Sequence, residues 1–169
     1  DLHSFPTRRS SDLDVVLVAR REDLLRDATD RLGAEGIAAT FIPVDLARAD
    51  CGEAVLHALA RREPPLEVDI LVNAAGINLR QPFAEVTAEA FDLHMAVHLR
   101  APFLLTQALA PGMAARGFGR IVNIASLQSY RAFPNCAPYG AGKGGIVQLT
   151  RAIAEEFSRH GVTCNAIAP

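Results

Sequence analysis

Residues 120–147, RIVNIASLQSYRAFPNCAPYGAGKGGIV, carry the pattern that decides the fold. The short apolar run at residues 120–125 is typical of a buried parallel strand. A loop follows, and Pro138 suits the first turn of a helix that we expect to continue to about His160. A strand, a loop and a helix in this order form one unit of a parallel α/β sheet.

The same alternation of strand and helix extends through most of the chain. Strands are predicted at residues 14–19, 37–44, 68–72, 120–125 and 162–167, and helices at residues 22–32, 49–62, 87–115 and 138–160. Gly33 is expected to end the first helix. Thr87 is expected to cap the third helix, and Pro102 to kink it or mark a tightly packed joint. Because the strands are apolar, we expect helices on both faces of a doubly wound parallel sheet.

Composition excludes several classes of protein. The net charge is −2, so no basic field favours nucleic acid. No apolar run reaches the roughly 18 residues of a membrane span. The three cysteines are far apart and show no metal-ligand or disulfide spacing, which is typical of reduced thiols in a cytoplasmic protein. Residues 1–13 have no helical or strand period and are predicted to be a disordered or non-native segment, similar to a translated sequencing adapter.

The strongest chemical pattern is Tyr139-Gly-Ala-Gly-Lys143. Residues four apart on a helix share a face, so the ammonium of Lys143 is expected near the phenol of Tyr139. A nearby positive charge favours the phenolate and lowers the pKa of a tyrosine, which gives a proton donor and acceptor closer to neutral pH. Lys143 is the one lysine among 17 basic residues, which indicates a role that arginine does not fill. Ser126 follows a predicted strand, where ligands of α/β sheets bind.

These residues resemble the short-chain dehydrogenase/reductase family over residues 14–169. Asn73-Ala74-Ala75-Gly76 is similar to the family's Asn-Asn-Ala-Gly turn, and residues 165–169 (NAIAP) to the strand that leads to the nicotinamide pocket. The resemblance implies a Rossmann-type domain and an oxidoreductase that interconverts a secondary alcohol and a ketone by hydride transfer. It implies that Tyr139 is the general acid/base, that Ser126 orients the carbonyl, and that Lys143 also binds the nicotinamide ribose.

The resemblance also implies a set of cofactor-binding positions. These are Arg20, Asp45, Leu46, Asn73, Ala75, Gly76, Tyr139, Lys143 and Pro169. An acidic residue at the end of the first strand would favour NAD by binding the adenosine ribose. This chain has Ala19 there, followed by Arg20 and Arg21, and arginine suits a phosphate. NADP(H) is therefore expected, and NAD(H) stays possible if both arginines are merely solvated.

Two positions depart from the family pattern. His98 occupies the place of a catalytic asparagine that holds a water in a proton relay. A neutral histidine both donates and accepts hydrogen bonds, so His98 is either a relay residue or a packed, non-catalytic one. Ala74 replaces the second asparagine of the turn, which removes hydrogen bonds that brace the sheet.

The family begins with a central strand and a Gly-rich loop that cradles the pyrophosphate, and neither occurs in this sequence. The sequence also stops at Pro169, before the segment that covers the substrate. Residues 14–169 are therefore expected to be a partial NAD(P)-binding domain that binds cofactor poorly alone. The resemblance implies a homo-dimer or homo-tetramer through the two long helices at full length.

Residues 124–145 look most similar to gluconate 5-dehydrogenase-type members, with 3-oxoacyl-carrier-protein reductases close behind. Four residues would then line the substrate pocket: Gln128, Arg131, Asn135 and Cys136. Arg131 would bind a substrate carboxylate unless it is a solvated loop residue. The alternative function is a catalytically silent cofactor-binding protein of the same fold. No metal site and no membrane or nucleic-acid partner are expected.

Overall fold

The computed structural model describes residues 13–169, so the predicted non-native segment lies almost wholly outside the described residues. The chain divides into two compact units, one ending at Asp45 and the other starting at Leu46. Both units consist of parallel strands joined by helices, which confirms the predicted fold class.

The first unit contains one strand–helix–strand crossover. It consists of β1 (Val15–Ala19), α1 (Glu22–Ala34) and β2 (Ala39–Pro43), and the two strands pair in parallel. The prediction that Gly33 ends α1 was wrong, because the helix continues to Ala34. Gly36 supplies the left-handed residue instead, with φ +79°, and the chain turns there into β2.

The second unit is built around a parallel sheet in the order β3-β4-β5. Its elements are α2 (Cys51–Ala60), β3 (Ile70–Asn73), α3 (Ala88–Met95), α4 (Ala101–Ala115), β4 (Gly119–Ile124), α5 (Ala137–Phe157) and β5 (Val162–Ile167). The core is formed where α4 and α5 pack on the sheet, and it includes Met113, Ile121 and Ile146, each at most 2% exposed. Among the described residues, no helix is long and apolar enough to cross a membrane.

Strand β3 is more exposed than a strand covered on both faces would be. Ile70 and Val72 are 44% and 54% exposed, although an apolar run of this kind indicates a strand covered on both faces. The physical reason is the position of β3 at the edge of its sheet, where it pairs only with β4 among the described strands. A strand at an edge lacks the neighbours that bury a central one.

The long helix predicted at residues 87–115 is three consecutive helical segments. Thr87 caps α3 by accepting a hydrogen bond from the amide of Ala90 at 3.1 Å, as predicted. A π-helical segment at Ala96–Arg100 then joins α3 to α4, and Pro102 lies in the first turn of α4. Proline has no amide hydrogen to donate. It is tolerated in the first turn of a helix because the amides there have no carbonyl partner within that helix. The predicted joint at Pro102 is confirmed.

Candidate active site

An open cavity of about 430 Å³ lies where β3, β4 and β5 end. The chain segments that follow parallel strands meet at one edge of the sheet, and this edge is where α/β proteins bind ligands. The lining residues are Ala74, Gly76, Ile77, Asn78, His98, Ile124, Ala125, Ser126, Tyr139, Lys143 and Pro169. The three residues predicted to carry the chemistry, Ser126, Tyr139 and Lys143, therefore face the same space.

The segment after β4 is tied directly to α5. The Ser126 side chain accepts a hydrogen bond from the amide of Gln128, and the Ser126 amide donates to Ser129 Oγ, both at 3.2 Å. Ser129 Oγ in turn donates to the backbone carbonyl of Lys143 at 2.6 Å. This reciprocal cap fixes the turn that carries Ser126 against the helix that carries Tyr139 and Lys143.

The ammonium of Lys143 is held inside the site. Lys143 is only 5% exposed, and its Nζ donates a hydrogen bond to the carbonyl of Ile124 at the end of β4. Nζ also lies 5.8 Å from the centre of the Tyr139 ring. Burial lowers the pKa of Lys143, because a charge loses hydration there. The predicted proximity of the two side chains on one helical face is thus present.

His98 closes the inner wall of the cavity. Its ring meets that of Tyr139 edge-on, with centroids 5.0 Å apart, and its Nε2 lies 2.6 Å from the carbonyl oxygen of Ile77. Burial is the main reason that the pKa of His98 is lowered to about 4, and the charge of Lys143 adds to the effect. The ring is therefore neutral near pH 7. Nε2 also lies 3.2 Å from the amide nitrogen of Ile77, while Nδ1 is buried without a hydrogen-bond partner among the described residues.

A buried polar network supports the turn after β3. Asn73 donates to Asn123 Oδ1 at 2.8 Å, and Asn123 donates to Thr150 Oγ1 at 2.9 Å and to Cys164 Sγ at 3.5 Å. The network links β3, β4, β5 and α5 beneath the cavity. It gives the sheet a brace that does not require a second asparagine at Ala74.

The predicted cofactor residues lie in several different parts of the structure. Gly76, Tyr139, Lys143 and Pro169 line the cavity, Asn73 is buried beneath it, and Ala75 is exposed within the same turn. Leu46 is half-buried at the start of the second unit. Arg20 and Asp45 belong to the first unit, Arg20 exposed in the bend after β1 and Asp45 half-buried after β2. The structure therefore brings together the residues near the predicted catalytic group and leaves the contribution of the first unit a prediction.

The predicted substrate loop requires a correction. Gln128, Arg131, Asn135 and Cys136 do not line the cavity, and Arg131 is exposed. Cys136 is 2% exposed, because its sulfur is covered by Arg80 Nε at 3.4 Å and Asn78 Nδ2 at 3.8 Å. Burial acts to raise the pKa of this thiol, but the hydrogen bonds from Arg80 and Asn78 outweigh it and the pKa is lowered.

Sequence reasoning also missed residues of the site. Ile77 and Asn78 line the cavity directly after the predicted Asn-Ala-Ala-Gly turn, so their position next to that turn was the available signal. His94, which is fully buried, lies four residues before His98 and stacks on it, with centroids 5.9 Å apart. The spacing of the two histidines was a visible helical pattern.

Comparison with known proteins gives consistent matches. The short chain dehydrogenase family matches residues 8–169. The chain is 39% identical to gluconate 5-dehydrogenase of Gluconobacter oxydans over 157 residues, which cover 92% of this chain and 60% of that protein. It is 41% identical to L-xylulose reductase of Mus musculus, covering 95% of this chain and 62% of that protein.

Solved structures agree with these sequence matches. The crystal structure of a gluconate 5-dehydrogenase from Burkholderia cenocepacia in complex with NADP and tartrate superposes with a TM-score of 0.83 at 36% identity. The match covers 91% of this chain and 60% of that one. The chain thus spans about 60% of the length of the relatives that it matches.

Proposed function

The chain belongs to the short-chain dehydrogenase family, and from this premise we propose that it is the catalytic part of an NADP(H)-dependent oxidoreductase that interconverts a secondary alcohol and a ketone. The observation that carries the proposal is the convergence of Ser126, Tyr139 and Lys143 on one cavity at the carboxyl end of the sheet. A family resemblance alone does not assign an activity, whereas this arrangement of a phenol, an ammonium and a hydroxyl supports acid–base chemistry on a carbonyl.

Each of the three side chains has a distinct role in the proposal. Tyr139 donates its phenolic proton to the carbonyl oxygen in reduction and accepts it back in oxidation. The ammonium of Lys143, held by the Ile124 carbonyl, stabilises the negative charge that then develops on the Tyr139 oxygen. The Ser126 hydroxyl donates a hydrogen bond to the substrate oxygen, and its turn is held in place by the bonds through Ser129.

The cavity is chemically suited to a nicotinamide dinucleotide and an anionic substrate. Its lining includes the ammonium of Lys143 and, among the described residues, no Asp or Glu side chain, so a negatively charged ligand meets no repulsion from the lining side chains. Gly76 and Lys143 would contact the nicotinamide half of the cofactor, and Pro169 would border it. When bound, the cofactor supplies or accepts the hydride. Arg20 in the first unit would bind the 2′-phosphate, which favours NADP(H) over NAD(H), and solved relatives have been crystallised with NADP.

The proposed substrate is a polyhydroxylated keto acid or sugar ketone. Relatives that match over nine-tenths of this chain are named gluconate 5-dehydrogenase, 5-keto-D-gluconate 5-reductase and L-xylulose reductase. Asn78 and the Ser126 hydroxyl offer hydrogen bonds to such a ligand at the cavity wall. A 3-oxoacyl thioester is the second proposed substrate class, since a solved structure named as a betaketoacyl-ACP reductase is 36% identical to this chain.

We further propose that the full-length protein is a cytoplasmic homo-dimer or homo-tetramer packed through its long helices. An apolar groove formed by Met95, Leu99, Phe103 and Leu149, with Arg100 at its side, supports this surface as the contact. The molar mass in solution, measured by light scattering, tests the assembly.

The activity is tested with the protein expressed at the full length that its gene encodes. NADPH oxidation is measured with 5-keto-gluconate, xylulose and a 3-oxoacyl thioester, and NADPH affinity is measured separately by fluorescence. The proposal expects turnover with a keto sugar or keto acid, and a fall of about 10² to 10⁴-fold in kcat for Tyr139→Phe while the variant still binds NADPH. The matched control is Tyr130→Phe, since Tyr130 is 65% exposed. NADPH binding without turnover on any of these substrates would instead support the catalytically silent protein.

A further inference from the structure

A pair of buried histidines holds the chain segment that forms one wall of the cavity. His94 and His98, here called the histidine clamp, lie four residues apart at the end of α3 and in the π-helical segment, and their rings stack with planes 28° apart. His94 Nε2 accepts a hydrogen bond from the amide of Leu79 at 3.2 Å, while His98 Nε2 contacts the backbone of Ile77. Both residues that flank Asn78 are thereby anchored.

The two contacts of His94 indicate which tautomer of its ring fits them. Its Nδ1 lies 2.7 Å from the carbonyl oxygen of Ala90, so this nitrogen carries the proton and donates it. Nε2 is then the unprotonated nitrogen, and it accepts the hydrogen bond that the Leu79 amide donates. A neutral ring satisfies both contacts, and a ring of the same size without nitrogen atoms would satisfy neither.

The residue between the two anchored ones lines the cavity. Ile77 lines it as well, so the cavity wall continues directly from an anchored residue into Asn78. Asn78 lines the cavity together with Tyr139, whose ring rests against His98. The histidine clamp thus contacts both the chain segment and, through His98, the ring of Tyr139.

We propose that His94 is a positioning residue, which acts with His98 in the histidine clamp to set the place of Asn78 relative to Tyr139 and thus the fit of the carbonyl substrate. This inference rests on the proposed function, since it concerns the substrate side of the same cavity. The clamp restricts the segment before substrate arrives, and preorganisation of this kind lowers the entropic cost of binding. His94 touches no reacting atom, and its effect passes through Leu79 and Asn78.

The test compares three variants of the full-length protein. His94→Leu removes both hydrogen bonds, His94→Gln keeps an acceptor for the Leu79 amide, and His57→Leu changes an exposed histidine on α2 as a control. His94→Leu is expected to raise the KM for the keto substrate about tenfold, with NADPH affinity within twofold of wild type. His94→Gln is expected to recover most of that loss, and His57→Leu to match wild type. An unchanged substrate KM in His94→Leu, or an equal loss of NADPH affinity, overturns the proposal.

A second measurement separates the clamp from the proposed function. Amide hydrogen exchange over residues 77–80 is expected to become faster in His94→Leu and to stay near wild type in His94→Gln. If the wild-type protein turns over no substrate, the proposed function fails and exchange alone decides on the clamp. If His94→Leu does not fold, Leu79→Pro removes the donated amide instead and is expected to give the same rise in KM. Loss of folding in both variants overturns the positioning role, because the contact would then serve stability.

Discussion

The ring of His98 lies edge-on to the ring of Tyr139, with the two planes at 82° and the centroids 5.0 Å apart. This contact connects His98, which replaces the family's asparagine, with Tyr139, the proposed general acid/base. Two glycines lie against His98: a Cβ at Gly76 would lie 3.0 Å from Cε1 of the ring, and a Cβ at Gly142 would lie 2.9 Å from His98 Cβ. The absence of a side chain at Gly76 leaves room for the ring, and its absence at Gly142 lets the two helices approach closely.

Substitution of Gly142 tests this packing. Gly142→Ala is expected to destabilise the protein by about 1–3 kcal/mol, because the new methyl group meets His98 Cβ and also lies 3.4 Å from Met95 Cε. Gly144→Ala on the same helix is the matched control, since nothing lies within 4 Å of its added Cβ. That control is expected to stabilise the protein by about 0.5–1 kcal/mol through helix propensity. Urea unfolding of both variants provides the measurement, and equal stability of the two would contradict the packing described for His98.

The lowered pKa of His98 predicts a pH dependence of stability. An unfolded histidine takes up its proton near pH 6.5, but folded His98 does so only near pH 4. Between these values the unfolded state binds more protons, so the free energy of unfolding decreases as pH falls through this window. The contribution of His98 across this window is about 3 kcal/mol. Lys143 and His94, which face His98, both contribute to lowering the pKa of His98.

Replacement of His98 by the family's asparagine isolates this effect. His98→Asn is expected to flatten the stability curve between pH 6.5 and pH 4, because asparagine does not titrate, and to retain activity. The measurement is urea unfolding at several pH values, with His57→Asn as the exposed-histidine control that keeps the wild-type slope. A slope that His98→Asn leaves unchanged would show that other groups cause it.

Lys143 is predicted to be irreplaceable by arginine. Lys143 is only 5% exposed, and its compact ammonium donates to the Ile124 carbonyl in a space that a forked guanidinium does not fit. Lys143→Arg is expected to lower kcat by about a hundredfold or more. The conservative exchange Arg151→Lys on the exposed face of the same helix is expected to have no effect. Full activity of Lys143→Arg would refute the proposed role of the ammonium.

Cofactor choice is predicted to depend on Arg20. Arg20→Glu replaces a partner of the 2′-phosphate with a repelling charge, so the KM for NADPH is expected to rise about tenfold to a hundredfold while the KM for NADH does not. Arg31→Glu, an exposed arginine in the last turn of α1, is the control. Steady-state kinetics with each cofactor decide the matter, and a parallel rise for both cofactors would speak against phosphate recognition by Arg20.

Local patterns in the sequence were sufficient for much of the architecture. The strand predicted at residues 162–167 matches β5 in both bounds, and the cap at Thr87 is present, because both follow from periodicity and side-chain chemistry within a few residues. The spacing of Tyr139 and Lys143 similarly placed them on one helical face. Only helix geometry is needed for that inference.

Features that depend on distant partners were not accessible in this way. The burial of Cys136 follows from contacts with Asn78 and Arg80, more than fifty residues away in the chain. The substrate-loop prediction therefore placed Cys136 at the cavity, where the structure does not.

Periodicity and spacing along the chain were enough to establish the parallel α/β fold, the order of its elements and the pairing of a tyrosine with the one lysine. Folding in three dimensions added the tethering of Ile77 and Leu79 by two stacked histidines and the burial that keeps His98 neutral. The division has a physical basis: helical and strand periods are local properties of neighbouring residues, whereas burial and hydrogen-bond partners arise from segments that meet only when the chain is folded.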